Sequence, residues 1–327
     1  MVSQWRHNNL VEGAIFASLT AVIALLGLLV PPLFPLISVI IPLPLAVLVK
    51  KRDLVTGALA LVVAAALLLV FYGRPVTVMM LLIQLGPLGL LLGVLFKNRV
   101  RAGLAVAMAT GVAVILNVIT LLSGFWFLGI NPLAAGSGIY GDIEQLLAFY
   151  QHQGLIEPGM EDEIRHLFQE MVELMVLLFP ANLVLWSLVS TSITYYLGQV
   201  VLQRLGYEVE PLPPFRQWQF PWYFVWIVIL GLLLFLTGDT LNKQPLATAG
   251  KNLIYLGTFL YLVAGLSVLG FYFNRFQLSR AVKLILIVAL FLYWPFTVIL
   301  LIILGLVDSL LNIKQAAQHR KKGGEGK

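Results

Sequence analysis

The sequence predicts an all-α polytopic membrane protein, and three observations support this prediction. Hydrophobic residues make up 60% and charged residues only 11% of the 327 residues, which is far more apolar than a soluble domain. The mean hydropathy is +0.95. Apolar runs of about 20 residues, the length that crosses a bilayer, recur along the chain. Since backbone groups in hydrocarbon need partners within their own segment, these runs are expected to be helices.

Nine apolar runs can be counted in order along the chain. Eight are predicted to span the membrane: 11–30, 33–49, 54–71, 76–96, 102–122, 171–202, 220–236 and 252–273, and a ninth run covers 284–307. The first run is followed by Pro31 and Pro32 and a second run, with no small-residue cleavage site between them. We therefore interpret it as a retained span rather than a signal peptide.

Clusters of basic residues set the predicted orientation. They fall at every second boundary: Lys50, Lys51 and Arg52; Lys97, Arg99 and Arg101; Arg204 and Arg216; Arg275, Arg280 and Lys283. The positive-inside rule places these boundaries, and the N-terminus, in the cytoplasm. The net charge of +6 is thus explained by orientation and by attraction to anionic lipid, so membrane lipid and not nucleic acid is the expected partner.

The ninth run contains Pro295, which removes a helix hydrogen bond and clashes with the preceding turn. We favour a re-entrant hairpin bent there, in which each half is too short to cross and the basic tail 312–327 stays cytoplasmic. The alternative is a ninth, kinked span, because proline is tolerated in membrane helices.

The chain is predicted to divide into two membrane lobes. The first covers 1–203 and includes an extracytoplasmic acidic segment, 131–170; a cytoplasmic proline-rich linker follows at 204–219. The second lobe covers 220–311. A helix is expected to begin near Glu161, where acidic residues suit a first turn, and to continue into the sixth span with a kink at Pro180.

Polar side chains inside the spans are the candidate solute-binding groups. We single out Gln84, Asn117 and Asn182, because an amide in hydrocarbon needs a partner and is expected to face the bundle interior. Interhelical hydrogen bonding alone would also account for them. Asn182 follows Pro180 by two residues, where freed backbone carbonyls could join a small-molecule site.

The sequence carries no catalytic motif, and no cofactor is expected. It lacks cysteine, a phosphate-binding loop, an HExxH pair, a GxSxG elbow and a mid-span carboxylate. Glu163, His166 and Glu170 share a helix face and could hold a cation together with His152. A solvated helix face is the more common reading of such a pattern, so we predict no metal site.

Small residues form a stripe on the first span. Gly13, Ala17 and Ala21 are four residues apart and are flanked by Ala14 and Ser18, which would let another helix approach closely. The approaching helix could belong to this chain or to a membrane partner. A similar stripe in the fifth span makes the first less distinctive.

The sequence resembles two groups of known membrane proteins. The stretches "EGAIFASLTAVIALLG" and "PPLFPLISVIIPLPLAVLVKKRDLVTGALA" resemble the start of the substrate-binding S component of energy-coupling-factor transporters. The whole chain, with "PFRQWQFP" and "GLVDSLLNIK", resembles the YybS family of bacterial membrane proteins. The resemblance implies a bacterial cytoplasmic membrane protein with a six-helix lobe related to S components and to the cell-shape protein MreD.

The resemblance also implies partners. In S components the small residues of the first helix dock a transmembrane coupling subunit that works with ATPases, and here that role would fall on Ala14, Ala17, Ser18 and Ala21. The expected function is therefore non-enzymatic solute binding within a transport system that needs a separate energising module. The alternative is an MreD-like scaffold for envelope morphogenesis proteins.

Overall fold

The computed structural model describes residues 2–129, 160–276 and 279–314, without the side chains of 2–9, 128, 161 and 280. Most of the acidic segment, including His152, and the tail beyond Lys314 lie outside the described residues. The described helices are α1 (Val2–Leu29), α2 (Phe34–Ile40), α3 (Pro42–Lys51), α4 (Leu54–Tyr72), α5 (Pro75–Lys97), α6 (Ala102–Leu128), α7 (Glu161–Leu177), α8 (Phe179–Arg204), α9 (Val225–Thr240), α10 (Gln244–Arg275), α11 (Arg280–Leu292) and α12 (Trp294–Leu311).

The predicted fold class is confirmed: the chain is an all-α polytopic membrane protein. Eight helical segments of the described chain are long and apolar enough to cross a bilayer, and the bent pair α7–α8 brings the number of candidate spans to nine. All nine predicted runs have helical counterparts. The boundaries agree closely where proline or a basic cluster ends the run, as in α4, which was predicted at 54–71 and covers Leu54–Tyr72.

The second span is not one helix. It covers Pro31–Lys51 and consists of a 3-10 turn, α2 and α3, with the chain breaking at Ile41. Pro42 and Pro44 cause this break because neither has an N–H with which to continue the helix. The hydroxyl of Thr194 lies 2.9 Å from the carbonyl of Val39, so α8 brings a hydrogen-bond donor to this buried carbonyl next to the break.

The sixth span is bent more sharply than a kink. Helix α7 begins at Glu161 as predicted, but it ends at Leu177, and α8 departs at 67°. Pro180 is the second residue of α8, where its missing N–H costs nothing. Its ring would clash with the carbonyl of Val176 if the helix continued. The predicted bend near Pro180 is therefore confirmed, but it is a break between two helices and not a kink within one.

The described chain divides into two compact units, and the division lies inside the predicted linker, between Leu212 and Pro213. Unit 1 comprises residues up to Val176 together with Leu183–Leu212, and unit 2 comprises Leu177–Asn182 and the chain from Pro213. The first part of the linker is tied to unit 1, since the Tyr195 hydroxyl donates to the carbonyl of Glu210 at 2.7 Å. The second part is tied to unit 2, where the Ser267 hydroxyl contacts the carbonyl of Phe215 at 2.8 Å.

Unit 1 is held together by small residues at helix contacts. Ala17, Ala21 and Ala24 of α1 are buried in one cluster with Ala60 and Ala64 of α4. Helix α3 is buried from Pro42 to Val49 and packs closely against α5. A Cβ on Gly89 would overlap the carbonyl of Pro42, so the close approach of these helices requires glycine there.

Unit 2 is built on α10, which packs against both α9 and α12. Helices α10 and α12 touch backbone to backbone: a Cβ on Gly265 would overlap the carbonyl of Leu301, and one on Gly305 would overlap that of Tyr261. Such contact allows tight packing without large side chains.

The ninth run breaks at Tyr293, next to Pro295, so the predicted bend is confirmed. The expectation that both halves are too short to cross was wrong for the second half. Helix α12 continues past Val307 to Leu311 and reaches 18 residues, enough for a candidate span. Helix α11 has 13 residues and is about 20 Å long, short of the roughly 30 Å of a hydrocarbon core.

The end of α12 meets the linker within unit 2. The Ser309 hydroxyl lies 3.2 Å from the carbonyl oxygens of both Phe220 and Pro221, which precede α9. The Lys314 ammonium donates to the carbonyl of Trp218 and, at 3.0 Å, to the hydroxyl of Ser267 in α10. The chain that leaves the end of α10 therefore returns to the same end of unit 2 after α11 and α12.

Candidate functional site

Unit 1 contains a cavity of about 170 Å³ between α2, α5, α6 and α8. Its lining combines hydroxyl, amide and aromatic side chains with leucine, alanine and proline: Phe34, Pro35, Ser38, Gln84, Leu85, Leu88, Ala113, Asn117, Trp186, Ser190 and Thr194. None of these residues is charged. The mixture of an apolar wall and a few convergent polar groups is typical of small-molecule sites.

A chain of three side-chain hydrogen bonds crosses the bundle beside this cavity. The Ser187 hydroxyl donates to the carbonyl of Leu183 at 2.8 Å, and the Asn117 amide nitrogen donates to the Ser187 oxygen at 2.9 Å. The Gln84 amide nitrogen then donates to the Asn117 oxygen. We call this chain, from Leu183 to Gln84, the amide relay.

The relay has a fixed direction. A serine hydroxyl has one hydrogen, and that of Ser187 goes to a carbonyl, so its oxygen must accept from Asn117. Asn117 then presents its amide oxygen to Gln84, which must donate. The Gln84 carbonyl oxygen and the second N–H of its amide are left at the end of the relay with no described partner, on a residue that lines the cavity.

The hydroxyl groups of the lining already donate hydrogen bonds to backbone carbonyls. Ser38 donates to the carbonyl of Pro35 at 2.9 Å and Ser190 to that of Ser187 at 3.2 Å. Thr194 lies within hydrogen-bonding distance of the carbonyls of Val39 and Ser190, and its one hydrogen serves one of them. Each hydroxyl oxygen retains lone pairs, and the lining residues Gln84, Asn117 and Trp186 have further N–H groups with no described acceptor, so the lining offers both acceptors and donors.

The predicted solute-binding residues divide between two places. Gln84 and Asn117 lie together at the cavity, joined by a hydrogen bond between their side chains. Asn182 is not among the lining residues. It is exposed and accepts a hydrogen bond from the Tyr255 hydroxyl at 3.1 Å, because the bend at Leu178 leaves it in the short segment that belongs to unit 2.

Ser38 is a polar residue of the lining that sequence reasoning missed. It lies in a run of apolar residues between Pro35 and Pro42, and prolines at this spacing are a signal for a broken span with an accessible backbone. Trp186 and Phe34 were also not singled out, because an aromatic residue in an apolar run does not by itself distinguish a cavity wall from a lipid-facing surface.

The small-residue stripe of α1 splits into two faces. Ala17 and Ala21 are buried within unit 1, and a Cβ on Gly13 would contact Thr56 of α4 at 3.6 Å. Ala14 and Ser18 are exposed. The strict four-residue repeat is therefore used for packing inside the chain, and only its two flanking residues remain accessible to a partner.

The candidate cation ligands do not form a cluster among the described residues. Glu163, His166 and Glu170 are all exposed on α7, and the described part of the chain contains no group of three acidic or histidine side chains able to hold a metal ion. His152 lies outside the described residues.

A buried ion pair lies in unit 2 and was not predicted. The Lys314 ammonium is 3.1 Å from the Asp308 carboxylate, and the two side chains are only 5% and 1% exposed. The Lys314 backbone N–H also donates to Asp308, at 3.2 Å. Through Lys314, which also contacts Ser267 and Trp218, the pair attaches the C-terminal end of α12 to α10 and the linker.

These features define a helical multi-pass membrane protein with an internal, uncharged polar cavity. Comparison with known families then places the chain: residues 18–309 match the family described as "Predicted membrane protein (DUF2232)", and the chain belongs to that family. It is 26% identical over 306 residues to the "Uncharacterized protein YybS" of Bacillus subtilis (strain 168), a match that covers 93% of this chain and 97% of that protein.

These matches confirm the predicted YybS relationship. No solved structure matches the chain. The likeness of the first lobe to S components and MreD therefore depends on the sequence stretches alone and stays a prediction.

Proposed function

We propose that this protein binds a small polar solute in the cavity of unit 1, as a non-enzymatic subunit of a transport system. The observation that carries the proposal is the convergence of Gln84, Asn117, Ser190 and Thr194 on one cavity with aromatic walls. Amide side chains are costly in a membrane unless they are paired or functional. Here the pairing is incomplete, because the relay ends on an oxygen with no described partner.

The chain would need a separate energising module. Transport requires a coupling ion or nucleotide hydrolysis, and the sequence has neither a phosphate-binding loop nor a mid-span carboxylate relay. A transmembrane subunit working with ATPases is the partner that the S-component resemblance implies. On α1 the exposed Ala14 and Ser18 offer a small-residue face for that contact.

The proposed orientation places both termini in the cytoplasm of a bacterial cell. The positive-inside rule puts the basic linker on the cytoplasmic side. Ser309 and Lys314 contact the part of the linker that lies in unit 2, so the tail would emerge on that side. A reporter fused after Lys327 should therefore read cytoplasmic, and an extracytoplasmic reading would contradict this orientation.

The second candidate function is a scaffold for envelope morphogenesis proteins, as the MreD resemblance implies. The same exposed face of α1 favours it, because a docking surface does not require a solute. Under this hypothesis the amide relay serves only to hold α5, α6 and α8 together.

Native mass spectrometry of the protein extracted in mild detergent separates the two functions. Ala113 lines the cavity, and Ala113→Leu should fill it, whereas Gly111→Leu adds similar bulk to the same helix where nothing lies within 4 Å. We expect a retained small molecule in the wild type and in Gly111→Leu, and its loss in Ala113→Leu.

Two outcomes of that experiment would contradict solute binding. If no small molecule is retained and envelope proteins copurify, the chain is a scaffold. If a retained molecule persists in a folded Ala113→Leu variant, it does not occupy this cavity.

A further inference from the structure

We infer that α7 is an interfacial helix, whose apolar face inserts among the acyl chains of the leaflet in which α8 begins. The helix has two different exposed faces, one apolar and one acidic, and it meets α8 at 67°. Together these features fit a helix that lies near the plane of the bilayer surface, with lipid on one side and water on the other.

The apolar face of α7 is a continuous stripe. Leu167, Met171 and Leu174 follow one another at helical spacing, so they share one side of the helix. Their side chains are 56%, 52% and 56% exposed, and the neighbouring Phe168 and Met175 are 37% and 56% exposed. A contiguous exposed stripe of large apolar side chains marks contact with lipid or with another molecule.

The other exposed side of α7 is acidic. Asp162, Glu163, Glu170 and Glu173 are all exposed and alternate in the sequence with the apolar stripe. An unpaired carboxylate is costly in hydrocarbon, so α7 does not lie within the apolar core of the bilayer. In water, on the other hand, the apolar stripe would remain solvated and lose the free energy of burial. The bilayer interface accommodates both faces at once.

The position of α7 on the protein agrees with this placement. Val172 lies on the edge between the two exposed faces and is only 3% exposed, so this edge packs against protein. The helix has 17 residues and is about 26 Å long, but at 67° it advances only about 10 Å along the axis of α8. Because α8 crosses the membrane, α7 runs closer to the membrane plane than to its normal.

Site-directed spin labelling tests this placement, and the absence of cysteine from the chain allows one label at a time. Nitroxides would be attached at Leu167→Cys and Met171→Cys on the apolar face, and at Glu170→Cys and Glu173→Cys on the acidic face. All four native side chains are exposed, so the labels displace no packed group. The full-length protein would be reconstituted in phosphatidylcholine vesicles, whose zwitterionic headgroups carry no net charge to repel the carboxylates.

The measurement is the collision rate of each nitroxide with oxygen, which concentrates in hydrocarbon, and with a water-soluble nickel chelate. We expect the ratio of oxygen to nickel collisions to be several-fold higher for the two labels on the apolar face than for the two on the acidic face. A label at Ile193→Cys gives the reference value for the hydrocarbon core, because Ile193 lies in the middle of α8 and is 44% exposed.

Three results would overturn the inference. Equal access of nickel to both faces would mean that α7 stands in water. Labels on the apolar face that neither reagent reaches would mean that protein covers this face. Labels on the acidic face that match Ile193→Cys would mean that the whole helix is buried in lipid. The labelled residues of α7 lie outside the cavity, so each of these results leaves solute binding to its own test.

Discussion

The buried ion pair between Lys314 and Asp308 makes the sharpest prediction about stability. Replacing Lys314 with Met removes the ammonium and leaves the Asp308 carboxylate almost fully buried. Its remaining described donor is the backbone N–H of residue 314, at 3.2 Å. Breaking a buried pair on one side leaves an uncompensated charge, and we expect unit 2 to lose roughly 3–5 kcal/mol of unfolding free energy.

The reciprocal change gives the interaction energy. Asp308→Asn keeps the shape of the side chain but leaves the ammonium with only the Ser267 hydroxyl and the Trp218 carbonyl as acceptors. The double variant, Asp308→Asn with Lys314→Met, removes both buried charges of the pair. It should be less destabilised than the sum of the single variants, with a coupling of roughly 1–3 kcal/mol.

The assay is reversible unfolding in mixed micelles of mild detergent and dodecyl sulfate, followed by far-ultraviolet circular dichroism. The matched control is the ion pair between Arg99 and Glu208. It is 2.6 Å long, but its side chains are 62% and 78% exposed. Arg99→Met should cost no more than about 1 kcal/mol, because water screens an exposed pair.

A result that removes the difference between the two pairs would refute this reasoning. If Lys314→Met lowers the unfolding free energy no more than Arg99→Met does, the Asp308 carboxylate is hydrogen-bonded to water or to another donor. The end of α12 is then not buried as described. If the double variant is as unstable as the sum of the single variants, the two side chains act independently.

Three further predictions concern packing and helix capping. Ala17→Leu should destabilise unit 1 by about 1–3 kcal/mol in the same unfolding assay, because Ala17 is fully buried. Ala14 is exposed, so Ala14→Leu should leave the unfolding free energy unchanged and weaken only the recovery of a membrane partner. Gly265→Ala should cost a similar amount because its Cβ would overlap the carbonyl of Leu301, whereas Gly270→Ala meets nothing closer than 4.0 Å and should be tolerated. Asp53 caps α4 by accepting from the Thr56 N–H at 2.7 Å, and Asp53→Ala should cost about 1 kcal/mol at neutral pH in that assay.

The Asp53 cap also sets a dependence on pH. The hydrogen bond from the Thr56 backbone holds the pKa of Asp53 below its ordinary value. The stabilisation is therefore complete above the unfolded pKa of about 3.9 and is lost as the pH falls through the lower folded pKa. Asp53→Asn should retain the cap and remove this contribution to the acid dependence, and an unchanged acid profile would contradict the assignment.

For each of the two packing predictions, an equal loss of stability in the test variant and in its control would contradict the reasoning. If Ala14→Leu destabilises the fold as much as Ala17→Leu, the buried face of α1 has been assigned incorrectly. If Gly270→Ala costs as much as Gly265→Ala, the loss reflects helix α10 itself and not its contact with α12.

Much of the topology could be predicted because it depends on local composition. Hydropathy, proline and basic clusters report the positions of spans directly, and α4 agrees within a residue at both ends. Segmentation was harder to predict, since the same proline can cause a mild kink or a full break. At Pro180 the chain bends by 67°, because the proline ring cannot follow the carbonyl of Val176 in a continuous helix.

The residues of the candidate site were also predictable only in part. An amide inside a span indicates a polar interior contact, and Gln84 and Asn117 proved to share one. The same reasoning chose Asn182, whose surroundings depend on where the chain bends and not on its own residue type. Ser38 went unnoticed because its importance comes from the helices that face it.

The sequence by itself determined the class of protein, the number of apolar runs, the family and the residues that mark the boundaries, because each of these depends on the order of residues along the chain and not on contacts between distant residues. Tertiary structure alone decided the direction of the amide relay, the burial of Ala17 but not Ala14, and the pairing of Lys314 with Asp308 over Ser267. Each of these depends on residues that are distant in sequence. In a bilayer, such residues decide whether a polar side chain makes a packing contact, binds a ligand or forms an ion pair.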